Sequence, residues 1–331
     1  MTTVNATPVY PTVNSTLSAL SANGTQNSQN IIFSVVAGFA AFFSIFGLIG
    51  NAIVIWVLTF KMKRNKYTVY ILNLAIADFI YLFFDAVVML LLVDKMLNAR
   101  NPSSKTLQAL EIIYDFGYTA GMLFLTAISI ERCLSVLFPI WHKCYRPKHL
   151  STWACGFLWL FGALLSLLDN FVCPANDFNK NTYQCTAMQI FASVLTFAII
   201  VPLMVMSSFT LIHVVRTTSK KCRPPKIYVA IIITVLVFLI SVIPIKVLWI
   251  LLYFKLFPNN FHSVALFFAS TYCTMFNSSA NPFIYFFVGR QKMKRFSSSV
   301  NEALSRVFKE DETDQSTEYY TESNSTISTL N

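Results

Sequence analysis

Seven long stretches of this chain are mostly apolar, and short polar segments separate them: residues 31–60, 66–93, 107–137, 150–172, 187–215, 226–254 and 261–288. A helix of about 20 apolar residues crosses the hydrocarbon core of a bilayer, and every stretch is long enough. In lipid the backbone must satisfy its own hydrogen bonds, which makes helices the form for such runs. The pattern predicts an all-α membrane protein, a seven-transmembrane helix bundle over 31–288. No inverted repeat of the transporter kind is visible. Residues 1–30 form a polar tail without Lys or Arg and without the apolar run of a cleavable signal, so the first span is expected to direct insertion. After the bundle, Met293, Phe296, Val300, Leu304 and Val307 recur at spacings of three and four. That spacing predicts a short amphipathic helix over 289–308, lying on the membrane surface against lipid. The acidic, Ser- and Thr-rich segment 309–331 reads as a disordered tail.

Composition and charge sharpen the picture. The 331 residues are 55% hydrophobic and 12% charged, about half the roughly 25% of a soluble domain. The formal charge of +10 raises nucleic acid as a partner, but its placement argues otherwise. The segments after spans one, three, five and seven carry eighteen Lys and Arg, including Lys61, Arg146, Lys220 and Arg295. The opposite side carries five: Lys95, Arg100, Lys105, Lys180 and Lys255. The richer side is cytoplasmic by the positive-inside rule. The expected protein is therefore a multi-pass plasma-membrane protein with its N-terminus extracellular and its C-terminus cytoplasmic. Topology accounts for the charge without nucleic acid. Sequons at Asn5, Asn14 and Asn23 agree, and they predict a glycosylated outer tail.

Ionisable and amide side chains at membrane depth are costly enough to be functional candidates. Asn51, Asp78, Glu131 with Arg132, and Asn281-Pro282 each fall in a different span. With Trp159, Pro202 and Pro244 they resemble the rhodopsin-like receptor signature, one motif per helix and in order. The stretches 125–141 (LTAISIERCLSVLFPIW) and 277–289 (NSSANPFIYFFVG) are similar to the Mas-related receptors. Lys246, just after the helix-six proline, leans toward Mas and the H-type member. The resemblance spans about residues 35–308.

The resemblance implies a receptor that binds an extracellular ligand and activates a heterotrimeric G protein of the Gq or Gi family, with receptor kinase and arrestin acting on the tail. Arg132 resembles the G-protein switch: it pairs with Glu131 at rest and turns to the G protein when active, with Asn281, Pro282 and Tyr285 completing the switch. Three departures stand out. Cys133 replaces the usual Tyr, Pro224 occupies the position of the acidic partner on helix six, and Val242 that of the aromatic switch. A weakly locked resting state with basal signalling is expected, its activation relying on packing among Met122, Pro202, Phe238 and Tyr285. Asn51, Asp78, Asn277 and Ser278 resemble a polar core that holds either a weak sodium ion at Asp78 or a water cluster. The usual helix-three hydroxyl is Gly121 here.

In the outer half, Leu107 replaces the half-cystine common to the class, and the resemblance implies a disulfide between Cys173 and Cys185. It also implies that Asp169 anchors a cationic ligand. A second acidic position of relatives is Gln189, Lys246 adds positive charge, and Asp85, Glu111 and Asp115 add negative charge. Two readings remain open. These residues line a mixed-charge pocket for a peptide or small amphipathic ligand, or Asp169 or Asp115 pairs with Lys246 to hold helices together. No enzyme motif, cofactor site or metal-ligand cluster is present in the sequence, and Met275 stands where a retinal Schiff base needs lysine. A seven-helix transporter or channel, or a non-signalling scaffold, is the alternative to a receptor.

Overall fold

The computed structural model describes residues 26–62, 66–98, 103–147, 149–173, 182–218, 226–254 and 262–290, which are the seven expected spans and their flanks. The sequons at Asn5, Asn14 and Asn23, nearly all of the expected surface helix, the tail 309–331 and Pro224 lie outside the described residues.

The described residues are helical with short turns. The rods are α1 (Gln26–Trp56), α2 (Thr68–Asn98), α3 (Ser104–Leu137), α4 (Leu150–Val172), α5a (Tyr183–Val194), α5b (Val201–Thr218), α6a (Lys226–Ser241), α6b (Ile243–Tyr253) and α7 (His262–Arg290). Two of the expected spans are divided. In the fifth, the π-helical segment Leu195–Ile200 joins α5a to α5b, just ahead of Pro202. A proline ring crowds the carbonyl four residues back, and widening the turn relieves that contact. In the sixth, the break falls at Val242, two residues before Pro244. The bonds from Val242 N–H to Phe238 O (2.9 Å) and from Lys246 N–H to Val242 O (3.1 Å) carry the helix across it. Pro244 has no N–H to offer Ile240, so the sixth span is bent there.

Among the described residues six helices are long and apolar enough to cross a membrane. The seventh rod, α7, has 29 residues but carries Asn277, Ser278 and Asn281, all buried. Its polar face is turned into the bundle, where neighbouring helices supply partners.

The most extensive packing joins α1 to α2 and α7, α2 to α3, α3 to α4 and α5b, and α6a to α7. This arrangement puts α3 at the centre. Two glycines permit close approach. A Cβ on Gly117 would stand 2.7 Å from the backbone nitrogen of Tyr81, and one on Gly50 would stand 3.0 Å from Pro282. The first brings α3 against the α2 backbone, and the second seats α1 on the α7 proline. Trp159 ties α4 inward: its indole N–H donates to Asn73 Oδ1 at 2.8 Å, and Phe124 packs edge-on at 5.1 Å. The core holds Phe124, Met204, Leu211 and Phe238, while Phe42, Trp153, Leu160 and Ile240 point outward. Apolar residues lie on both faces, as lipid solvent requires.

Candidate functional site

The polar residues singled out in the sequence gather at three levels of the bundle. At one end, Arg132 is buried near the end of α3. Its guanidinium carbon lies 3.5 Å from the centroid of the Tyr67 ring and 5.7 Å from that of Tyr228 on α6a. A guanidinium over an aromatic face is held by the ring quadrupole. Arg146, a loop residue outside the expected motif, holds Glu131: Arg146 Nη2 donates to Glu131 Oε1 at 2.8 Å. The Tyr70 hydroxyl donates to the same oxygen at 3.0 Å, and His142 Nε2 lies 3.8 Å from Oε2. Arg146 also donates to Ser151 Oγ at 2.7 Å, and Ser151 donates to the Lys66 carbonyl at 3.0 Å. Lys66 Nζ donates to the His142 carbonyl at 3.2 Å. Burial, and then the neighbouring Arg146, push the Lys66 ammonium below the usual lysine range. Tyr67 stacks on His142 with 5.3 Å between ring centroids. The described part of the loop after α3 is thus strapped to the ends of α2, α3 and α4. Counting loop charges treats Arg146 and Lys66 only as topology markers, so their roles were invisible to it.

At mid-depth, Asn281 Nδ2 donates to Asp78 Oδ2 at 2.7 Å. Asn51 Nδ2 donates to the carbonyls of Gly47 (3.0 Å) and Ser278 (3.2 Å). The expected polar core of α1, α2 and α7 is therefore brought together. Asn51, Asn277 and Asn281 each bury a side-chain carbonyl oxygen without a hydrogen-bond partner among the described residues. Gly121 faces Asp78, where a Cβ would stand 3.3 Å from Oδ1, so α3 brings no hydroxyl. One carboxylate with amide oxygens suits an alkali cation or ordered water, both of which take oxygen donors. Met122, Phe238 and Tyr285 are buried in one core cluster beside it.

At the other end, Cys173 and Cys185 form the expected disulfide, with Cα atoms 4.6 Å apart. Tyr253 packs on the bridge and its hydroxyl lies 2.8 Å from Thr186 Oγ1. Inward of it, α3, α4, α5a and α6b converge. Gln189 Nε2 donates to Asp169 Oδ1 at 3.4 Å, and Asn170 Nδ2 to Asp115 Oδ2 at 3.5 Å. Lys246 Nζ sits 4.9 Å above the Tyr118 ring, and both carboxylates act on it electrostatically. No salt bridge joins Lys246 to Asp115 or Asp169 among the described residues. Asp169, Asp115, Gln189 and Lys246 therefore share one cluster without the direct ion pair that would make it purely structural. Asp85 lies elsewhere, between α1 and α2, where Ser44 Oγ donates to it at 3.1 Å.

This geometry has known counterparts. Residues 50–285 match the family model "7 transmembrane receptor (rhodopsin family)". The chain is 40% identical over 270 residues to "Proto-oncogene Mas" of Rattus norvegicus, covering 80% of this chain and 81% of that one. It is 38% identical over 280 residues to "Mas-related G-protein coupled receptor member D" of Macaca fascicularis, covering 84% and 86%. It is also 38% identical over 265 residues to "Mas-related G-protein coupled receptor member H" of Mus musculus, covering 80% of each. The likeness expected to Mas and the H-type member is present, and it extends to member D. The chain belongs to the rhodopsin family of seven-transmembrane receptors, among its Mas-related members, and is a multi-pass membrane receptor of the G-protein-coupled class rather than an enzyme.

Proposed function

We propose that this receptor takes a cationic peptide or small amphipathic ligand from outside the cell at Asp115, Asp169, Gln189 and Lys246, and activates Gq or Gi. The supporting observation is a charge imbalance. Among the described residues, the disulfide half of the bundle carries Asp85, Glu111, Asp115 and Asp169 against Lys246. Asp94 and Lys95 at the end of α2 cancel, and Lys105 is exposed. Carboxylates buried at this depth need a cation, and a ligand ammonium or guanidinium supplies one by charge-assisted hydrogen bonds. Gln189 in place of a second acid fits this cluster to one basic group of the ligand.

The route to the G protein runs along the sixth span. Lys246 stands four residues outward of the break at Val242, and Tyr228 lies on α6a, inward of it. A ligand that draws on Lys246 tilts α6b and swings α6a, which pulls Tyr228 from Arg132 and frees the guanidinium for the G protein. The Tyr228–Arg132 cation–π contact is worth about 0.5–2 kcal/mol, and its loss favours signalling in this reading. Asn281, Pro282 and Tyr285 provide the matching hinge on α7, and the Asp78 cluster holds sodium or water.

In this orientation the Arg132 end is cytoplasmic at the plasma membrane. The tail carrying Asn5, Asn14 and Asn23 is extracellular and glycosylated, segment 289–308 rests on lipid, and 309–331 receives receptor kinase and arrestin. A screen of cationic amphipathic peptides on expressing cells, read by calcium and cyclic AMP, tests the proposal. An agonist whose potency survives Asp169→Ala unchanged would remove the anchor.

A further inference from the structure

We propose that Asp85, with Tyr81 and Tyr272 near it, is a second cation subsite that accepts the second basic group of a dicationic ligand. This inference rests on the reading of Asp115, Asp169 and Lys246 as the first pole.

Asp85 is 4% exposed. A carboxylate offers about four lone-pair sites, yet Asp85 receives one neutral donor among the described residues, the Ser44 hydroxyl at 3.1 Å. No cationic side chain acts on it there. Four other carboxylates of the bundle are better supplied. Asp78 has Asn281, Glu131 has Arg146 and Tyr70, and Asp115 and Asp169 have amide donors and the field of Lys246. Tyr272 lies within the field of Asp85 but gives its hydroxyl to the Val36 carbonyl at 2.6 Å.

What surrounds Asp85 is aromatic. Its charge reaches Tyr81, and Tyr81 meets Tyr114 and Tyr118, each at 6.2 Å between centroids. Met275 and Tyr272 join the same cluster. A carboxylate with aromatic faces beside it is the chemistry that holds an ammonium: the anion takes the charge and the rings take its flank. The tyrosines also give the subsite a floor. The series Asp85, Tyr81, Tyr118, Lys246 runs without interruption to the first pole, because Tyr118 is the ring beneath Lys246. A ligand with two amines joined by an apolar chain would lay the chain on those rings, with an amine at each end.

The test uses the purified full-length receptor in lipid nanodiscs and a series of linear α,ω-diamines, each paired with the monoamine of equal chain length. Binding is read by thermal shift over a concentration series. On the wild type, at least one diamine should bind about tenfold tighter than its monoamine, the gain of one additional charge-assisted contact. Asp85→Asn, which keeps the shape and the Ser44 contact, should erase that excess and leave the monoamine unchanged. Asp169→Asn should weaken both. The unliganded melting temperature of each variant reports its folding, and Asp85→Glu should restore part of the diamine excess. A wild type that prefers no diamine, or an Asp85→Asn receptor that keeps the preference, overturns the subsite and leaves Asp85 a structural group. Monoamine binding indifferent to Asp169→Asn overturns the first pole alone, since the diamine excess at Asp85 is scored separately.

Discussion

Asp169 and Gln189 meet at 3.4 Å because each stands one helical turn from half of the same disulfide. Asp169 lies four residues before Cys173, and Gln189 lies four after Cys185. The bridge therefore sets the register of α4 against α5a at the level of the charged cluster. Closing a loop of twelve residues stabilises by roughly 3 kcal/mol in the chain-entropy account. The double variant Cys173→Ser/Cys185→Ser should melt lower and bind cationic probes more weakly, although Asp169 is intact. Thermal shift and probe titration read both effects, and unchanged probe affinity would mean that the bridge does not align the cluster.

The contact between Tyr228 and Arg132 predicts a graded series. Tyr228→Phe keeps the aromatic face and should leave basal signalling near the wild type. Tyr228→Leu removes it and should raise basal nucleotide exchange about fivefold, equivalent to roughly 1 kcal/mol. If Phe and Leu behave alike, the tie is not of the cation–π kind.

Arg146 carries a different consequence. Its side chain is fully buried against Glu131, and removing one partner of a buried pair strands the other charge. Arg146→Ala should destabilise the receptor by about 3 kcal/mol, the low end of the range for broken buried pairs because Tyr70 still serves Glu131. Arg146→Lys should recover part of that loss, and Glu131→Gln should lose less than Arg146→Ala. Melting temperatures of the purified variants decide it.

Trp159 offers a smaller and cleaner test. Trp159→Phe loses the 2.8 Å bond to Asn73 but keeps much of the ring packing, so a loss of about 1 kcal/mol is expected in thermal stability. A loss several times larger would assign the anchoring of α4 to the indole ring and not to its N–H.

Much of this fold was legible in the chain. Hydropathy placed α4 at its observed bounds, because its ends coincide with its apolar run. Elsewhere the helices outrun the lipid-length pattern: α2 continues to Asn98, whose amide donates to Asp94 at 2.6 Å, since backbone bonding persists where side chains turn polar. Pro202 removes a backbone donor in span five, but a π-helical segment ahead of it depends on how the turn relaxes, which the sequence does not encode locally. The cost of burying a polar group singles out Asp78 and Asn281 separately, and only the resemblance sets Asp78 in a polar core. The Glu131–Arg146 bond was not foreseen, because fifteen residues of helix end and loop separate the two, and a loop arginine looks like any other topology charge. Tyr67, Tyr70 and Tyr228 were missed for a similar reason, since aromatic residues at helical spacing look like ordinary core.

In the proposed activation, Arg132 leaves Tyr67 and Tyr228 to act on a G protein. The most direct test is GTP exchange on purified Gq and Gi heterotrimers, catalysed by the receptor in nanodiscs and compared with Arg132→Ala. Exchange above the receptor-free rate is expected on at least one heterotrimer, abolished by Arg132→Ala. Exchange on neither heterotrimer, or exchange that Arg132→Ala leaves intact, would contradict the proposed activation.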